Sequence, residues 1–302
     1  MTEKDSDEIF LPPPPETLTR FYGTLDYAID LLRNHEIALV HASKMNDPFD
    51  PYFEFLNDFG DRYGAILNWI RDHRGDREVR QFKRAFPYSS WDVAVRGIRE
   101  KNNVLRSSVF LFCASAPMDG YRPSQNLYMW GHYGSGHRGV AIEFISTSVA
   151  ASVRRHQIAI NSQFKAEIRP WTPVLYKERL EKISAGDFYE FIMSTERTVH
   201  TTQLVRQLNT ISRVKSPVWK PEQEWRLLWR NDEIEPNIYC IPIEPSAIKT
   251  IFIGLRIEER TAEEIANVAR ANFPDASVVQ CRARPGEFAL DFNPIFSNRP
   301  LA

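Results

Sequence analysis

Short apolar segments typical of β-strands recur along most of the chain, with helical segments between them at irregular intervals. The most apolar of them is SVFLFCAS at residues 108–115. The others are LTRFYG (18–23), IALVHAS (37–43), VAIEF (140–144), EQEWRLLW (222–229) and IKTIFIG (248–254). Short runs of this kind between turn signals are typical of strands. Because strands and helices do not alternate regularly, the pattern predicts an α+β fold with a mixed, largely antiparallel sheet and helical insertions.

The chain divides into an arm and a folded body. Residues 1–16 carry five acidic residues against one lysine and include the run Pro12–Pro15. Four consecutive prolines cannot enter a helix or a central strand, so residues 1–17 are predicted to form an extended, acidic arm. This arm is either a plain leader or a binding segment for a proline-reading partner. Residues 18–302 are predicted to form a single α+β domain, with helical insertions near 60–105 and 177–212.

The net charge and the spacing of the cysteines exclude some classes of protein. The 302-residue chain has a formal net charge of −1, which argues against a general nucleic-acid coat protein. Residues 62–106 nevertheless contain eleven Arg and Lys against five Asp and Glu, which indicates either a nucleic-acid footprint or a solvated helical face. The cysteines Cys113, Cys240 and Cys281 are odd in number and lack CxxC spacing, which excludes a disulfide framework and favours reduced thiols in the cytoplasm.

The sequence carries no sign of membrane insertion. Its acidic first residues, MTEKDSDEIF, lack the apolar region of a signal peptide. No apolar run approaches the roughly 18 residues that a membrane span needs. These features predict a soluble, cytoplasmic protein without a membrane partner.

The first candidate site is the charged segment Glu222–Arg226. Alternate side chains of a strand share a face, so Glu222, Glu224 and Arg226 are expected on one side. Burying unpaired charges costs several kcal/mol, so this face is either a solvated ion-pair ladder or the lining of a site. In a closed site the two carboxylates would raise each other's pKa and Arg226 would lower it, which suits a base or a group that stabilises a developing cation.

The second candidate is the segment Met129–Gly139, where a helix end runs into a glycine-rich turn. Trp130 and Tyr133 can stack on a planar ligand, and glycines let the backbone approach one. The alternative is an ordinary packed helix end. His132 and His137 are five residues apart, which is the wrong spacing for two metal ligands on one helix face, so no metal is expected.

The third candidate joins Arg20–Thr24 with the turn Asn46–Asp50. A strand that ends in a basic and an aromatic residue runs into Gly23 and Thr24, which open a helix. Free backbone N–H groups at such a helix start suit an anion such as a phosphate. The acidic turn can fix the local geometry through side-chain to backbone hydrogen bonds.

Three stretches of the chain also carry a family resemblance. They are NDPFD (46–50), MWGHYGSGHRGVAIEF (129–144) and WKPEQEWRL (219–227). In this order they resemble the bacterial and phage family called domain of unknown function 2971. The resemblance covers roughly residues 18–292 and implies no settled activity.

A more distant likeness concerns the layout of Y-G-T before a helix, a following strand and a late ExE strand, which is similar to that of ADP-ribosyltransferases. It implies a split mixed sheet that grips NAD in its cleft. Glu224 would be catalytic, Glu222 would position the acceptor, and Tyr133 would stack on the nicotinamide. The implied NAD-binding residues are Arg20 at the phosphates or ribose, Tyr22, Gly23 and Thr24 beside the nicotinamide, and further Trp130, His132, His137 and Arg226.

The implied chemistry fits these residue types. Breaking the nicotinamide–ribose bond builds positive charge on the ribose, as in glycoside hydrolysis, and a carboxylate held on a strand can stabilise that charge. The sequence therefore predicts an NAD-dependent ADP-ribosyltransferase-like effector, of toxin or antiphage-defence type, that modifies a protein or nucleic-acid target. Two alternatives stay open: a nucleic-acid-acting defence protein that uses the basic segment 62–106, and a non-enzymatic binding module.

Overall fold

The computed structural model describes residues 12–47, 63–93, 95–96, 109–118, 120–160, 171–179, 185–186, 189, 193, 213–230 and 238–295. The strands are β1 (Thr17–Tyr22), β2 (Glu36–His41), β3 (Val109–Ser115), β4 (Val140–Ile145), β5 (Thr172–Pro173), β6 (Leu175–Tyr176), β7 (Val214–Lys215), β8 (Glu224–Arg230), β9 (Ile238–Pro242), β10 (Ile248–Ile253), β11 (Ser277–Ala283) and β12 (Leu290–Pro294). The helices are α1 (Leu25–Asn34), α2 (Tyr63–Arg74), α3 (Asp76–Ala85), α4 (Leu127–His132), α5 (Ser146–Ile160) and α6 (Glu259–Asn272). Each strand predicted above is present, with its ends shifted by at most two residues.

Ten strands form one mixed sheet. Its main path runs β12-β11-β10-β4-β1-β3-β2-β9, and β8 pairs with both β3 and β5. Among the described ladders of this sheet, β10 and β11 are parallel and the remaining pairs are antiparallel. This topology confirms the predicted α+β class with a mixed, largely antiparallel sheet.

The sheet splits along one edge of β3. On that edge, the described ladder of β1 pairs Thr19 with Ser115, whereas β2 pairs with Leu111 and Phe110 further along β3. The opposite edge of β3 pairs with β8 from end to end. Strands β1 and β2 therefore diverge beside the middle of β3, which opens a cleft between them and confirms the predicted split.

Two apolar clusters cover opposite faces of the sheet. The larger one contains Phe112 and Phe144 and packs the sheet against α1 and α6. The smaller one joins Phe21 with Trp130 of α4. Because side chains alternate along a strand, Phe21 and its neighbour Tyr22 project to different faces of the sheet.

Helices α2 and α3 lie within the insertion predicted near residues 60–105. They bury a core of their own, formed by Ile66, Ile70, Val79, Phe82 and Trp91. The basic residues Arg77, Arg80 and Lys83 of α3 are exposed. This exposure is compatible with a solvated face and with a nucleic-acid footprint. Most of the insertion predicted near 177–212 lies outside the described residues.

The end of the predicted arm is fixed to the body. Ser146 Oγ donates a hydrogen bond to the carbonyl of Pro15 at 2.5 Å, and the Ser146 N–H donates to the carbonyl of Glu16 at 3.0 Å. Strand β1 begins directly afterwards, at Thr17. Residues 1–11 lie outside the described residues.

None of the helices in the described part of the chain combines the length and the apolar character that a bilayer crossing would require.

Candidate functional site

The cleft at the split encloses about 200 Å³. Thr19, Ser115 and Glu224 are register partners on β1, β3 and β8, so they lie on one face and form a polar row across its floor. Further lining residues are Lys44, Asn46, Tyr133, Lys215 and Glu222. Polar and charged side chains from five separate parts of the chain therefore converge on one concave surface.

Two carboxylates and two cations form a buried network in this cleft. Arg226 Nε donates to Glu224 Oε1 at 2.8 Å, and the Arg226 guanidinium also reaches Glu224 Oε2 at 3.1 Å. The Lys215 ammonium donates to Glu222 Oε2 at 2.7 Å and to Glu224 Oε2 at 3.2 Å. Each of these side chains is at most 5% exposed. The interpretation of this segment as a solvated ion-pair ladder is therefore wrong.

The two carboxylates differ in their protonation behaviour. Burial pushes the pKa of Glu224 upward, but the charges of Arg226 and Lys215 outweigh it and lower the pKa to about 2. For Glu222, burial is the larger effect and raises the pKa above its ordinary value, although Lys215 and Tyr133 both act to lower it. Glu224 is thus a permanent anion, whereas Glu222 is the carboxylate able to exchange a proton.

Tyr133 connects three stretches of the sequence that lie far apart along the chain. Its hydroxyl donates to Glu222 Oε1 at 2.5 Å and accepts a hydrogen bond from Asn46 Nδ2 at 3.2 Å. Burial and the adjacent Glu222 carboxylate raise the pKa of Tyr133, so its phenol stays protonated at neutral pH. The three motifs that carry the family resemblance therefore meet at one hydroxyl. Residues 48–50 of the first motif lie outside the described residues.

The expectation that Glu222 shares a strand with Glu224 and Arg226 is wrong. Glu222 ends a 3₁₀ turn, Pro217–Glu222, and strand β8 begins at Glu224. Between them, Gln223 adopts a left-handed backbone with φ of 45°, which breaks the alternation of side chains. Glu222 still reaches Glu224, because both carboxylates contact Lys215.

Arg20 lies at the split with its guanidinium on the face opposite to the carboxylates. The guanidinium carbon is 4.4 Å from the centre of the Phe112 ring and 5.5 Å from that of Tyr22. Arg20 Nη1 and Tyr22 Oη are both buried and have no hydrogen-bond partner among the described residues. Burial raises the pKa of Tyr22 to about 12, although Arg20 acts to lower it. The structure therefore does not bring Tyr22 together with Glu224 and Tyr133.

The turn after β1 is held against the end of α4. A Cβ atom on Gly23 would lie 3.0 Å from the carbonyl oxygen of Tyr133. Thr24 is the N-cap of α1, and its side chain makes no capping hydrogen bond. These contacts bring Gly23 next to the backbone of Tyr133 and leave the first N–H groups of α1 uncapped by Thr24.

Three aromatic residues of the α4 segment have different surroundings. Trp130 is completely buried, and its Nε1 donates to the carbonyl of Ser124 at 2.8 Å. His137 stacks on Trp130, with 5.6 Å between ring centres. His132 is exposed, 4.2 Å from the ring centre of Tyr128. Trp130 and His137 are therefore part of a packed helix end rather than of the cleft lining.

Gly139 of this segment and the facing Gly254 serve backbone packing. A Cβ atom on Gly139 would lie 2.2 Å from the carbonyl oxygen of Tyr22. One on Gly254 would lie 2.4 Å from the carbonyl oxygen of His137. The turn is thus packed between the ends of β1 and β10, which accounts for Gly139 without a ligand.

Replacing Gly139 with alanine should destabilise the protein by about 1–3 kcal/mol, because the new methyl group collides with backbone that cannot move freely. The matched control is Gly131→Ala in α4, where a Cβ atom meets nothing within 4 Å. That change should stabilise the fold by roughly 0.5–1 kcal/mol through helix propensity. Denaturant unfolding of both variants tests this account, and equal stabilities would contradict it.

Lys215 is the site residue that sequence reasoning missed. It lies on β7, a strand of two residues that pairs in parallel with β6. Such a short strand has no recognisable periodicity, and the nearest signal is a lysine seven residues before Glu222. Cys113 was also missed as a neighbour of the site: burial and the Glu224 carboxylate raise the pKa of its thiol.

Within the described residues, no cluster of three or more His, Cys, Asp or Glu side chains is arranged to hold a metal ion.

Comparison with known proteins shows that the central part of this chain is similar to one protein family. Residues 129–227 match the family model described as "Protein of unknown function (DUF2971)", which confirms the predicted resemblance over that part of the chain. No curated protein matches the chain. Among solved structures, DarT from Thermus sp. 2.9 in complex with ADP-ribosylated ssDNA is similar at 14% identity and a TM-score of 0.28, over 88% of this chain and 92% of that chain.

Proposed function

We propose that this protein is an ADP-ribosyltransferase-like enzyme that transfers ADP-ribose from NAD to a macromolecular acceptor. The observation that carries the proposal is the cleft at the split of the sheet, in which Glu222 and Glu224 converge with Tyr133. The distant sequence likeness to ADP-ribosyltransferases, which includes the same two glutamates, gives the same expectation. A role as toxin or antiphage effector is part of the proposal.

The two carboxylates suit the two halves of this reaction. The bond between ribose C1′ and the nicotinamide nitrogen breaks, its electron pair leaves with nicotinamide, and positive charge builds on the ribose. Glu224, ionised and fixed by Arg226, would stabilise that charge in a water-poor cleft. The acceptor oxygen or nitrogen then bonds to C1′, and Glu222 would take its proton. The pKa of Glu222, which burial raises above its ordinary value, supports this assignment.

The residues around the cleft are compatible with NAD as the substrate. The half-buried ring of Tyr133 would stack on the nicotinamide, with Gly23 and Thr24 beside it. The Arg20 guanidinium lies on the face opposite to the carboxylates, so its buried Nη1, which has no partner among the described residues, does not support binding of the NAD phosphates or ribose beside them. The enclosed 200 Å³ is smaller than the about 300–1,000 Å³ of typical ligand pockets, so it would hold only the nicotinamide–ribose end.

Expression in a bacterium tests the proposal. We expect the wild-type chain to lower cellular NAD, slow growth and leave ADP-ribose on protein or nucleic acid. Glu224→Gln should reduce all three effects by at least about 100-fold, because it removes the charge that faces the reacting ribose. The matched control is Glu244→Gln, a surface carboxylate paired with Arg155 and 59% exposed, which should behave as wild type.

Equal NAD levels, unmodified macromolecules and equal growth for wild type and Glu224→Gln would overturn the proposal, provided that both proteins are folded. Circular dichroism of the purified variants supplies that control. Glu222→Gln is made in parallel and keeps the Glu224–Arg226 pair intact. A loss of activity in both variants therefore cannot come only from unfolding caused by the loss of that pair.

A further inference from the structure

Lys215 joins the two carboxylates of the site through its ammonium group. Its ammonium lies between Glu222 Oε2 at 2.7 Å and Glu224 Oε2 at 3.2 Å, and 4.9 Å from the ring centre of Trp219. The side chain is 2% exposed, so bulk water does not screen these contacts. No other described side chain contacts both carboxylates through hydrogen bonds.

The two carboxylates depend on Lys215 to different degrees. Glu224 has a second, bidentate cationic partner in Arg226. For Glu222, the described cationic partner is Lys215, and its other oxygen is bonded to the neutral Tyr133 hydroxyl. Without Lys215, Glu222 would face Glu224 with no cationic partner of its own among the described residues. Removal of this lysine should therefore affect Glu222 far more than Glu224.

We propose that Lys215 is a positioning residue for the proposed transfer reaction: by donating to both carboxylates, it holds Glu222 ionised and aimed at the cleft beside Tyr133. The inference rests on the proposed function, because the proton transfer belongs to that reaction. The contacts of Lys215 with the two carboxylates do not depend on it. Lys215 supplies the charge balance that allows two carboxylates to remain together in a buried site. Glu222 can then accept the proton of the acceptor.

The charged and titratable groups around Glu222 come from four elements. They are Lys215 of β7, Glu224 of β8, Tyr128 and Tyr133 at α4, and Tyr176 of β6. Burial raises the pKa of all three tyrosines above the ordinary 10, so they do not titrate between about pH 5 and pH 8. Glu224, with a pKa of about 2, stays ionised in the same window. Glu222 is therefore the carboxylate of this group with a raised pKa, which burial raises and Lys215 acts to lower.

The sign of the stability effect follows from linkage. The pKa of Glu222 in the folded protein is already above its ordinary 4.5, and loss of Lys215 raises it further. A group whose pKa is raised on folding stabilises the fold below its unfolded pKa and loses that contribution as pH rises through its folded pKa. Lys215→Met should therefore be least harmful near pH 5 and increasingly harmful towards pH 8.

The experiment is a comparison of thermal unfolding from about pH 5 to pH 8 for wild type, Lys215→Met, Lys215→Arg and the double variant Lys215→Met/Glu222→Gln. We expect the loss in Tm of Lys215→Met to at least roughly double across this range. Glu222→Gln should remove that pH dependence in the double variant, and Lys215→Arg should restore most of the stability. Lys220→Met, an exposed lysine of the same turn, is the matched control and should show no pH-dependent loss.

The outcomes separate this inference from the proposed function. A Tm loss that is the same at both ends of the pH range, or that persists unchanged in the double variant, would overturn the role of Lys215 whether or not the protein cleaves NAD. A wild type without NAD cleavage but with the expected pH pattern would overturn the transfer reaction and retain Lys215 as the group that keeps Glu222 ionised. Where NAD is cleaved, Lys215→Met should also shift the acid limb of kcat/KM to higher pH.

Discussion

Replacing Glu222 with glutamine should lower the rate of NAD cleavage and transfer by about 100- to 10,000-fold, the usual contribution of a general base. The reason is that glutamine keeps the shape of the side chain and a hydrogen bond to Tyr133 but cannot accept a proton. Wild-type kcat/KM should fall as the pH drops through the pKa of Glu222, which burial raises above the ordinary 4.5. That acid limb should be absent from the residual activity of Glu222→Gln.

Tyr133→Phe tests the assignment of Glu222 as the proton acceptor, because it should shift the pKa of Glu222 in one direction only. The hydrogen bond from Tyr133 lowers the pKa of Glu222, so its loss should raise that pKa. The acid limb of kcat/KM should then move to higher pH, while activity at the alkaline plateau is largely retained if the ring's stacking is the main role of Tyr133. An acid limb that stays in place in Tyr133→Phe, or survives in Glu222→Gln, would show that another group accepts the proton.

Replacing Arg226 with methionine should destabilise the protein by about 3–5 kcal/mol, the largest stability effect that we expect from a single change at this site. Arg226 is 1% exposed and donates two hydrogen bonds to Glu224. Its removal leaves the Glu224 charge buried with Lys215 as its remaining described cationic partner. Urea unfolding at neutral pH measures the loss directly.

Two further variants test whether the loss of stability comes from the Glu224–Arg226 contact. Arg226→Met/Glu224→Gln should be more stable than the sum of the single changes predicts. The reason is that Glu224→Gln removes the buried carboxylate charge that Arg226→Met deprives of its arginine partner. Arg260→Met, at a surface pair whose arginine is 90% exposed, should leave stability unchanged. Additive losses in the double variant would mean that the Glu224–Arg226 contact contributes little to the fold.

Much of the site was predictable from strand alternation. The pattern E-x-R on an apolar strand places Glu224 and Arg226 on one face, and the structure pairs them there. The same reasoning failed for Glu222, because Pro217 and Pro221 favour a 3₁₀ turn and Gln223 turns left-handed before the strand begins. Local sequence determines the alternation only within a strand, and the exact start of a strand depends on its neighbours.

Other parts of the site depend on contacts between distant segments. Lys215 is brought to the carboxylates by the pairing of β7 with β6, two short strands without periodicity. The aromatic character of Trp130 fits a ligand-stacking site and a core equally well, and burial by the end of β1 decides between them. The split of the sheet arises because β1 and β2 share one edge of β3, which no single strand sequence specifies.

The measurement that tests the central claim most directly is nicotinamide release from NAD by the purified protein, followed alongside the attachment of ADP-ribose to added protein or nucleic acid. The account predicts release by wild type, a loss of at least about 100-fold in Glu224→Gln and in Glu222→Gln, and wild-type rates in Glu244→Gln. Wild-type release that both cleft substitutions leave unchanged, or a folded wild type that releases no nicotinamide with any acceptor, would contradict it.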